Sequence, residues 1–140
     1  MKDIRIGIVG GGYMGKAHAV AYAAVASIFD TKLRPILEMV CSSSGVTAEK
    51  YRKAFGFSRA TSDWRVLVAD PKVDAIIIAT PQKFHRVIAE MAFKLGKPVF
   101  CEKPLAENYK DAKEMCDALK NKNLINMVNL VIEIPQVIRS

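Results

Sequence analysis

The chain has 140 residues, of which 51% are apolar, and a formal net charge of +7. This length suits one domain, and the apolar content excludes a disordered chain. No apolar run reaches the ~18 residues of a membrane span, and no signal-peptide pattern is visible. We therefore expect a cytoplasmic protein with no membrane partner. The basic residues are spread along the chain and are not interleaved with aromatic residues, which argues against a nucleic-acid partner.

The predicted elements alternate between strand and helix. The expected strands are residues 4–9, 36–41, 73–79, 97–101 and 124–129, with 59–61 as a weak candidate for one more. The expected helices are residues 13–29, 47–55, 62–68, 84–95 and 108–122. Repeated strand–helix units predict an α/β fold with three layers, in which helices cover both faces of a doubly wound parallel sheet of strand order 3-2-1-4-5-6.

Residues 10–15 fit the pattern G-x-G-x-x-G between the first strand and the first helix. Gly10 would allow a tight turn, Gly12 would let a pyrophosphate approach the backbone, and Gly15 would let the helix pack closely on the strand. The helix start at Tyr13 and Met14 would offer backbone N–H groups to the phosphates. In this context the motif predicts an NAD(P)-binding Rossmann fold, with a merely structural glycine turn as the alternative.

The end of the second strand bears on the choice of cofactor. NAD-binding domains usually place a carboxylate there to bind the ribose hydroxyls, whereas this chain has Ser42 and Ser43 and no carboxylate before Glu49. Serine hydroxyls can donate to a 2′-phosphate, and Lys50 and Arg52 would add positive charge. We therefore expect NADP, with NAD as the other cofactor to consider. The alternative is that the serines only cap the next helix and the choice is made elsewhere.

Two later segments carry a family resemblance. Residues 74–81 are followed by His85, and residues 96–106 contain the triplet Glu102-Lys103-Pro104 after a buried strand. The chain resembles the Gfo/Idh/MocA family, the glucose–fructose oxidoreductases and inositol dehydrogenases, over about residues 4–128. The Glu-Lys-Pro triplet is the most specific part of this resemblance.

The resemblance implies roles for five residues. Lys103 would be the catalytic residue that positions and polarises the substrate, while Glu102, Thr80, Pro81 and His85 would bind the cofactor on its nicotinamide side. A lysine at the carboxyl end of a parallel strand is also placed to stabilise a developing negative charge or to help transfer a proton. The implied reaction is hydride transfer between NAD or NADP and a CH–OH group of a sugar or polyol substrate.

The family also has a larger second domain that binds substrate and assembles homo-oligomers. Residues 1–129 match the dinucleotide-binding domain, and residues 130–140 read as a divergent tail or a truncated entry to that second domain, which is absent here. We therefore expect this chain alone to bind the cofactor with little turnover, and to form a homo-oligomer through uncovered apolar surface. The alternative is a non-catalytic nucleotide-binding module.

A few residues carry no expected function. His18 on the first helix is expected to pack, and Cys41, Cys101 and Cys116 are expected to be buried or half-buried thiols without metal-ligand spacing. We predict no metal site. The Lys103–Pro104 peptide could be either isomer, because a tight turn at a functional site raises the cis fraction above the usual ~5–6%.

Overall fold

The computed structural model describes residues 2–120, 122, 124 and 126–129, and within them the fold is one parallel sheet between two layers of helices. The strands are β1 (Lys2–Val9), β2 (Leu33–Cys41), β3 (Arg59–Thr61), β4 (Ala75–Ile78), β5 (Val99–Glu102) and β6 (Asn126–Asn129). The helices are α1 (Tyr13–Ile28), α2 (Gly45–Phe55), α3 (Trp64–Ala69), α4 (His85–Lys94) and α5 (Tyr109–Ala118), with a short 3₁₀ turn (Gln82–Phe84) before α4.

The predicted three-layer Rossmann architecture is confirmed. The strands lie in the order β3-β2-β1-β4-β5-β6, and every pair of neighbours is parallel. The order reverses between β1 and β4, and at such a switch point two crossovers leave in opposite directions and open a crevice at the carboxyl ends of the strands. The fold therefore places a ligand crevice next to the glycine loop that follows β1.

Two strands differ from their predicted form. The weak candidate at residues 59–61 is β3, which pairs with the end of β2, from Met39 to Cys41. β2 itself begins at Leu33, so Pro35 lies inside a strand that it was expected to precede. Since β3 pairs only with the last three residues of β2, no other described strand pairs with the start of β2 on that side, and a proline without an N–H is tolerated there.

The core lies on both faces of the sheet. One cluster includes Ile6, Ile8 and Ile77 beneath α1 and α2, and the other includes Ile76 and Ile78 beneath α3, α4 and α5. All four residues of β4 are buried, as its unbroken apolar run predicts for a strand covered on both sides. This central strand holds the carboxyl edge of the sheet rigidly.

Some details of the sequence interpretation need correction or completion. Cys41 and Cys101 are buried, but Cys116 is exposed, since in α5 it is the neighbouring Met115 that is buried. The Lys103–Pro104 peptide is cis. Among the residues that the structure describes, no helix is long and apolar enough to cross a membrane.

Candidate functional site

A crevice of about 540 Å³ opens at the carboxyl ends of β1, β2 and β4. Of the residues predicted to bind a cofactor, those that line it are Gly10, Gly12, Ser42, Ser43, Thr80 and Pro81. Trp64, which the sequence suggests as a core or crevice-wall residue, also lines it, and the lining residues that the sequence did not predict are Val9, Gly11, Cys41, Thr47, Tyr51, Ser62, Phe84 and Ile88. The crevice lies at the switch point of the sheet, where doubly wound folds bind their ligands.

The glycine loop has the geometry that its motif requires. Gly10 has a φ of +121°, and its N–H donates to the Cys41 carbonyl at 2.9 Å. A Cβ on Gly10 would overlap the Ala79 carbonyl, and a Cβ on Gly15 would overlap the Gly10 carbonyl. A Cβ on Gly12 would meet nothing within 4 Å. Two glycines therefore permit close backbone contacts, while the third leaves the backbone open toward the crevice.

The start of α1 fits an anionic ligand. No side chain caps the helix at Gly12, and its first turn holds no acidic residue. The side chain of Tyr13 is 83% exposed and Gly15 is buried, so the first turn offers backbone N–H groups and not side chains to the crevice. A helix N-terminus with free N–H groups and a partial positive charge suits a pyrophosphate.

The three consecutive serines divide between two roles. Ser42 is buried at the end of β2 and Ser43 is exposed, and both line the crevice. Ser44 is the N-cap of α2, where its Oγ accepts a hydrogen bond from the Thr47 N–H at 3.1 Å. The capping alternative therefore applies to Ser44 alone.

The charges expected next to the serines are not on the crevice wall. The guanidinium of Arg52 is paired with Glu49 at 2.6 Å, and Lys50 is exposed on α2 without lining the crevice. The pKa of Glu49 is lowered, chiefly by the hydrogen bond from Arg52. Among the described residues no acidic side chain lines the crevice, so none of them repels a negatively charged ligand there.

Two aromatic side chains, Tyr51 and Trp64, contribute to the crevice wall, and of these the sequence did not predict Tyr51. Tyr51 lies under the ammonium group of Lys16, 5.2 Å from its ring centre, and the guanidinium of Arg65 lies 4.7 Å from the Trp64 ring centre. Thr47 and Tyr51 are four residues apart, a spacing that places both on one face of α2. That spacing is the signal in the sequence that identifies this side of α2 as a crevice wall.

Cys41 also lines the crevice, but it is not poised as a nucleophile. Burial, with a smaller effect from the negative charge of Asp63, raises the pKa of the Cys41 thiol to about 11. A thiol in this state is protonated near neutral pH and unreactive. Among the described residues, no group of three or more histidine, cysteine, aspartate or glutamate side chains could hold a metal ion.

The turn after β5 lies at the same edge of the sheet. We call residues 102–105 the Lys103 turn. The side chain of Glu102 is buried and its Oε1 lies 2.5 Å from Nε2 of His18, while Lys103 is exposed. His18 does pack as expected, edge-on against Phe100 at 5.2 Å between ring centres, but its pairing with Glu102 was not anticipated.

His85 lies behind the crevice wall. Its ring is 1% exposed, with Nδ1 2.9 Å from the Pro104 carbonyl and Nε2 2.9 Å from the Thr80 carbonyl. The ring lies at the start of α4, and both of its nitrogens face backbone carbonyls of neighbouring loops. Any role of His85 in cofactor binding stays a prediction, and it would act through Thr80.

Comparisons with known proteins agree with this geometry. Residues 4–130 match the family model of the Gfo/Idh/MocA proteins, described as an oxidoreductase family with an NAD-binding Rossmann fold. The chain is 40% identical over 129 residues to levoglucosan dehydrogenase of Pseudarthrobacter phenanthrenivorans, covering 91% of this chain and 33% of that protein. It is 33% identical over 105 residues to inositol 2-dehydrogenase of Acidothermus cellulolyticus, covering 75% of this chain and 29% of that protein.

A solved structure shows the same fold. Levoglucosan dehydrogenase in complex with NADH superimposes with a TM-score of 0.89 at 40% identity, over 91% of this chain and 34% of that one. The chain thus spans about a third of the length of the relatives that it matches. Together with the glycine loop, the switch-point crevice and the Lys103 turn, these matches show that the chain belongs to the Gfo/Idh/MocA oxidoreductase family and is its NAD-binding Rossmann domain.

Proposed function

We propose that this domain binds NADP in preference to NAD and presents the nicotinamide for hydride transfer to or from a CH–OH carbon of a sugar or polyol. The observation that carries the proposal is the crevice itself, with an uncapped helix N-terminus, an open Gly12 and the exposed Lys103 at one edge of the sheet. The names of two relatives, levoglucosan dehydrogenase and inositol 2-dehydrogenase, support a substrate of this class.

Each part of the crevice would have its own task. The backbone of Gly12 and the first turn of α1 would bind the pyrophosphate, and Thr80 and Pro81 would border the nicotinamide. When bound, the nicotinamide supplies a centre that accepts or donates a hydride. The ammonium group of Lys103 would stabilise negative charge that develops on the substrate oxygen, or relay the proton that this oxygen loses as the carbon gives up its hydride.

The preference for NADP follows from the wall at the end of β2. Ser42 and Ser43 offer hydroxyl donors, and the lining of the crevice contains no carboxylate that would repel a 2′-phosphate. The net charge of +7 also favours the more negative cofactor. NAD is the second candidate, and the NADH in the levoglucosan dehydrogenase structure favours it.

Cofactor titration tests this preference directly. Trp64 is the single tryptophan of the chain and lines the crevice, so quenching of its fluorescence reports binding. We expect tighter binding of NADPH than of NADH, and we expect Ser42→Asp to reverse the order because a carboxylate repels the 2′-phosphate. Ser44→Asp is the matched control, since it adds the same charge but keeps α2 capped.

Each outcome of the titration has a definite meaning. Binding of NADPH no tighter than NADH by the unaltered chain would overturn the NADP preference. Failure of both to bind at millimolar concentration would overturn nucleotide binding altogether.

The reaction is tested with a panel of sugars and polyols added to the cofactor-loaded chain, read by nicotinamide absorbance. Turnover that Lys103→Met removes without weakening cofactor binding would support hydride transfer assisted by Lys103. Turnover that survives Lys103→Met unchanged would contradict that role. If no sugar or polyol is turned over, nucleotide binding is the activity of this chain by itself.

A further inference from the structure

The two histidines of the chain contact one short segment, the Lys103 turn, from opposite sides of the sheet. His18 belongs to α1, which packs on one face, and its ring meets Glu102 at the first residue of the turn. His85 begins α4, which packs on the other face, and its ring meets the carbonyls of Pro104 at 2.9 Å and Leu105 at 3.3 Å. The turn is therefore held at both of its ends.

These contacts are well shielded from water. The side chains of His18 and Glu102 are 12% and 7% exposed, and His85 is 1% exposed. Buried hydrogen bonds of this kind are costly to break, because a partner left unpaired has no water to replace it.

His85 also contacts a residue of the crevice wall. Its Nε2 faces the carbonyl of Thr80, which lines the crevice, while its Nδ1 faces the Lys103 turn. A carbonyl oxygen only accepts, so a ring nitrogen that carries hydrogen donates to the carbonyl that it faces. The one ring therefore lies between two loops and contacts the backbone of both.

Lys103 itself has no rigid means of aiming its side chain. It is exposed and its four-carbon stem rotates freely, so the position of its backbone sets the region that the ammonium group can reach. The residues on either side are the ones that are anchored, Glu102 by its side chain and Pro104 by its carbonyl. The backbone of Lys103 therefore takes its place from its two neighbours.

We propose that His18 and His85 are positioning residues that clamp the Lys103 turn and thereby place Lys103 beside the nicotinamide. This inference rests on the proposed function, because it takes a dinucleotide to occupy the crevice. It assigns both histidines an indirect role: neither touches the cofactor, and both act through the turn. It also implies that the adenosine half of the site, at Ser42, Ser43 and Tyr51, does not depend on them.

That difference between the two halves provides the test. The full chain is titrated with the preferred dinucleotide and, separately, with the fragment of it that has no nicotinamide. That fragment is ADP-ribose for NAD and the 2′-phosphate of ADP-ribose for NADP, and Trp64 fluorescence reports binding of each ligand. We expect His85→Leu, whose side chain has no hydrogen-bond donor, to weaken dinucleotide binding about five- to tenfold and ADP-ribose binding less than about twofold, since one side of the clamp is lost. Val87→Ala, an exposed position on the same helix, is the control and should change neither.

A second measurement does not depend on any ligand. Hydrogen exchange at the backbone amides of Lys103 and Leu105 should become about tenfold faster in His85→Leu, while the amides of residues 10–16 keep their rates. His18→Leu should give the same pattern from the other layer, and His18→Gln, which keeps a donor, should restore most of the slow exchange. The two His18 variants carry the test if His85→Leu fails to fold.

The outcomes separate the clamp from the proposed function. Equal weakening of both ligands, or exchange at Lys103 and Leu105 that does not change in either variant, would overturn the clamp. Failure of the unaltered chain to bind any nucleotide would overturn the proposed function, while the exchange rates would still decide whether the histidines hold the turn.

Discussion

The motif glycines differ in what an added side chain would meet. At Gly10 and Gly15 it would overlap a backbone carbonyl, whereas at Gly12 it would enter open space in the crevice. The first two glycines are therefore required by the fold of the loop, whereas no contact among the described residues requires the third. Single substitutions at these glycines therefore separate the steric demands of the loop from its contact with a ligand.

Gly15→Ala should abolish or greatly weaken nucleotide binding, because the new methyl group forces apart the Gly10 carbonyl and the start of α1. We expect at least a tenfold loss of affinity, which corresponds to about 1.4 kcal/mol. Trp64 fluorescence in a nucleotide titration measures it. Gly45→Ala is the control, since a Cβ there meets nothing within 4 Å, and a loss of similar size in that variant would contradict the steric explanation.

Asp70 makes the stability of the fold depend on pH. Its carboxylate accepts hydrogen bonds from Arg59 at 2.7 and 2.8 Å and from the Lys72 N–H at 2.9 Å. The Arg59 hydrogen bonds are the main cause that lowers the pKa of Asp70 from 3.8 to about 2. Because the folded-state value lies below the unfolded one, the stabilisation is present above about pH 4 and is lost as the pH falls toward 2.

Asp70→Asn should therefore destabilise the chain by about 1–2 kcal/mol at neutral pH and by progressively less below about pH 4. Urea unfolding over this pH range measures the difference between the two proteins. Asp117→Asn is the control, because that carboxylate is exposed and 3.8 Å from Lys120. A difference for Asp70→Asn that stays constant at every pH would rule out this ion pair as its source.

At the scale of elements, the junction between β2 and α2 combines a binding wall and a helix cap within three residues. Ser42 and Ser43 continue the line of β2 into the crevice, and Ser44 turns the chain into α2. Gly56, with a φ of +79°, ends the same helix in the left-handed conformation. The helix that carries Tyr51 toward the crevice is thus defined at both ends by local chemistry.

Ser44→Ala should cost about 1 kcal/mol of unfolding free energy, because the Thr47 N–H loses its acceptor. The ratio of NADPH to NADH affinity should stay unchanged. Thermal or urea unfolding measures the first effect and nucleotide titration the second. A change in the cofactor ratio of the size expected for Ser42→Asp would show that the cap and the cofactor wall are not separate.

At the scale of the whole molecule, α1 stands out because its outer side is apolar. Val20 and Ile28 are 58% and 67% exposed, and residues 17–29 carry no aspartate, glutamate, lysine or arginine. Beside this helix lies a groove of about 620 Å³, lined mainly by apolar residues that include Tyr22, Val25 and Phe100. A helix that is apolar all round is usually covered by other parts of a protein, and soluble monomers seldom expose a large contiguous apolar patch.

We therefore expect the chain to self-associate through this face, as a dimer or a larger assembly. Val20→Glu should shift the mass measured by light scattering toward the monomer, because the buried charge would have to be desolvated. Val66→Glu is the matched control: Val66 is 51% exposed, on α3 in the opposite layer. A clean monomer for the unaltered chain, or equal effects of both variants, would contradict this expectation.

The fold could be predicted from the sequence because its main signals are local. Each apolar run, glycine break and helix start depends on residues a few positions apart, and β4 and the glycine loop have the form that these signals predict. The Glu102-Lys103-Pro104 triplet likewise identified the family, now shown by the match over residues 4–130. The sheet order was predicted as the usual order of the doubly wound fold that repeated strand–helix units indicate.

What only the tertiary structure decided depends on residues far apart in the chain. The three serines look alike in sequence, and only the position of α2 separates Ser44 from Ser42. His18 and Glu102 are 84 positions apart, so no periodicity could pair them. They meet because parallel crossovers bring the carboxyl ends of distant strands to one edge, and that edge is where this protein assembles its crevice.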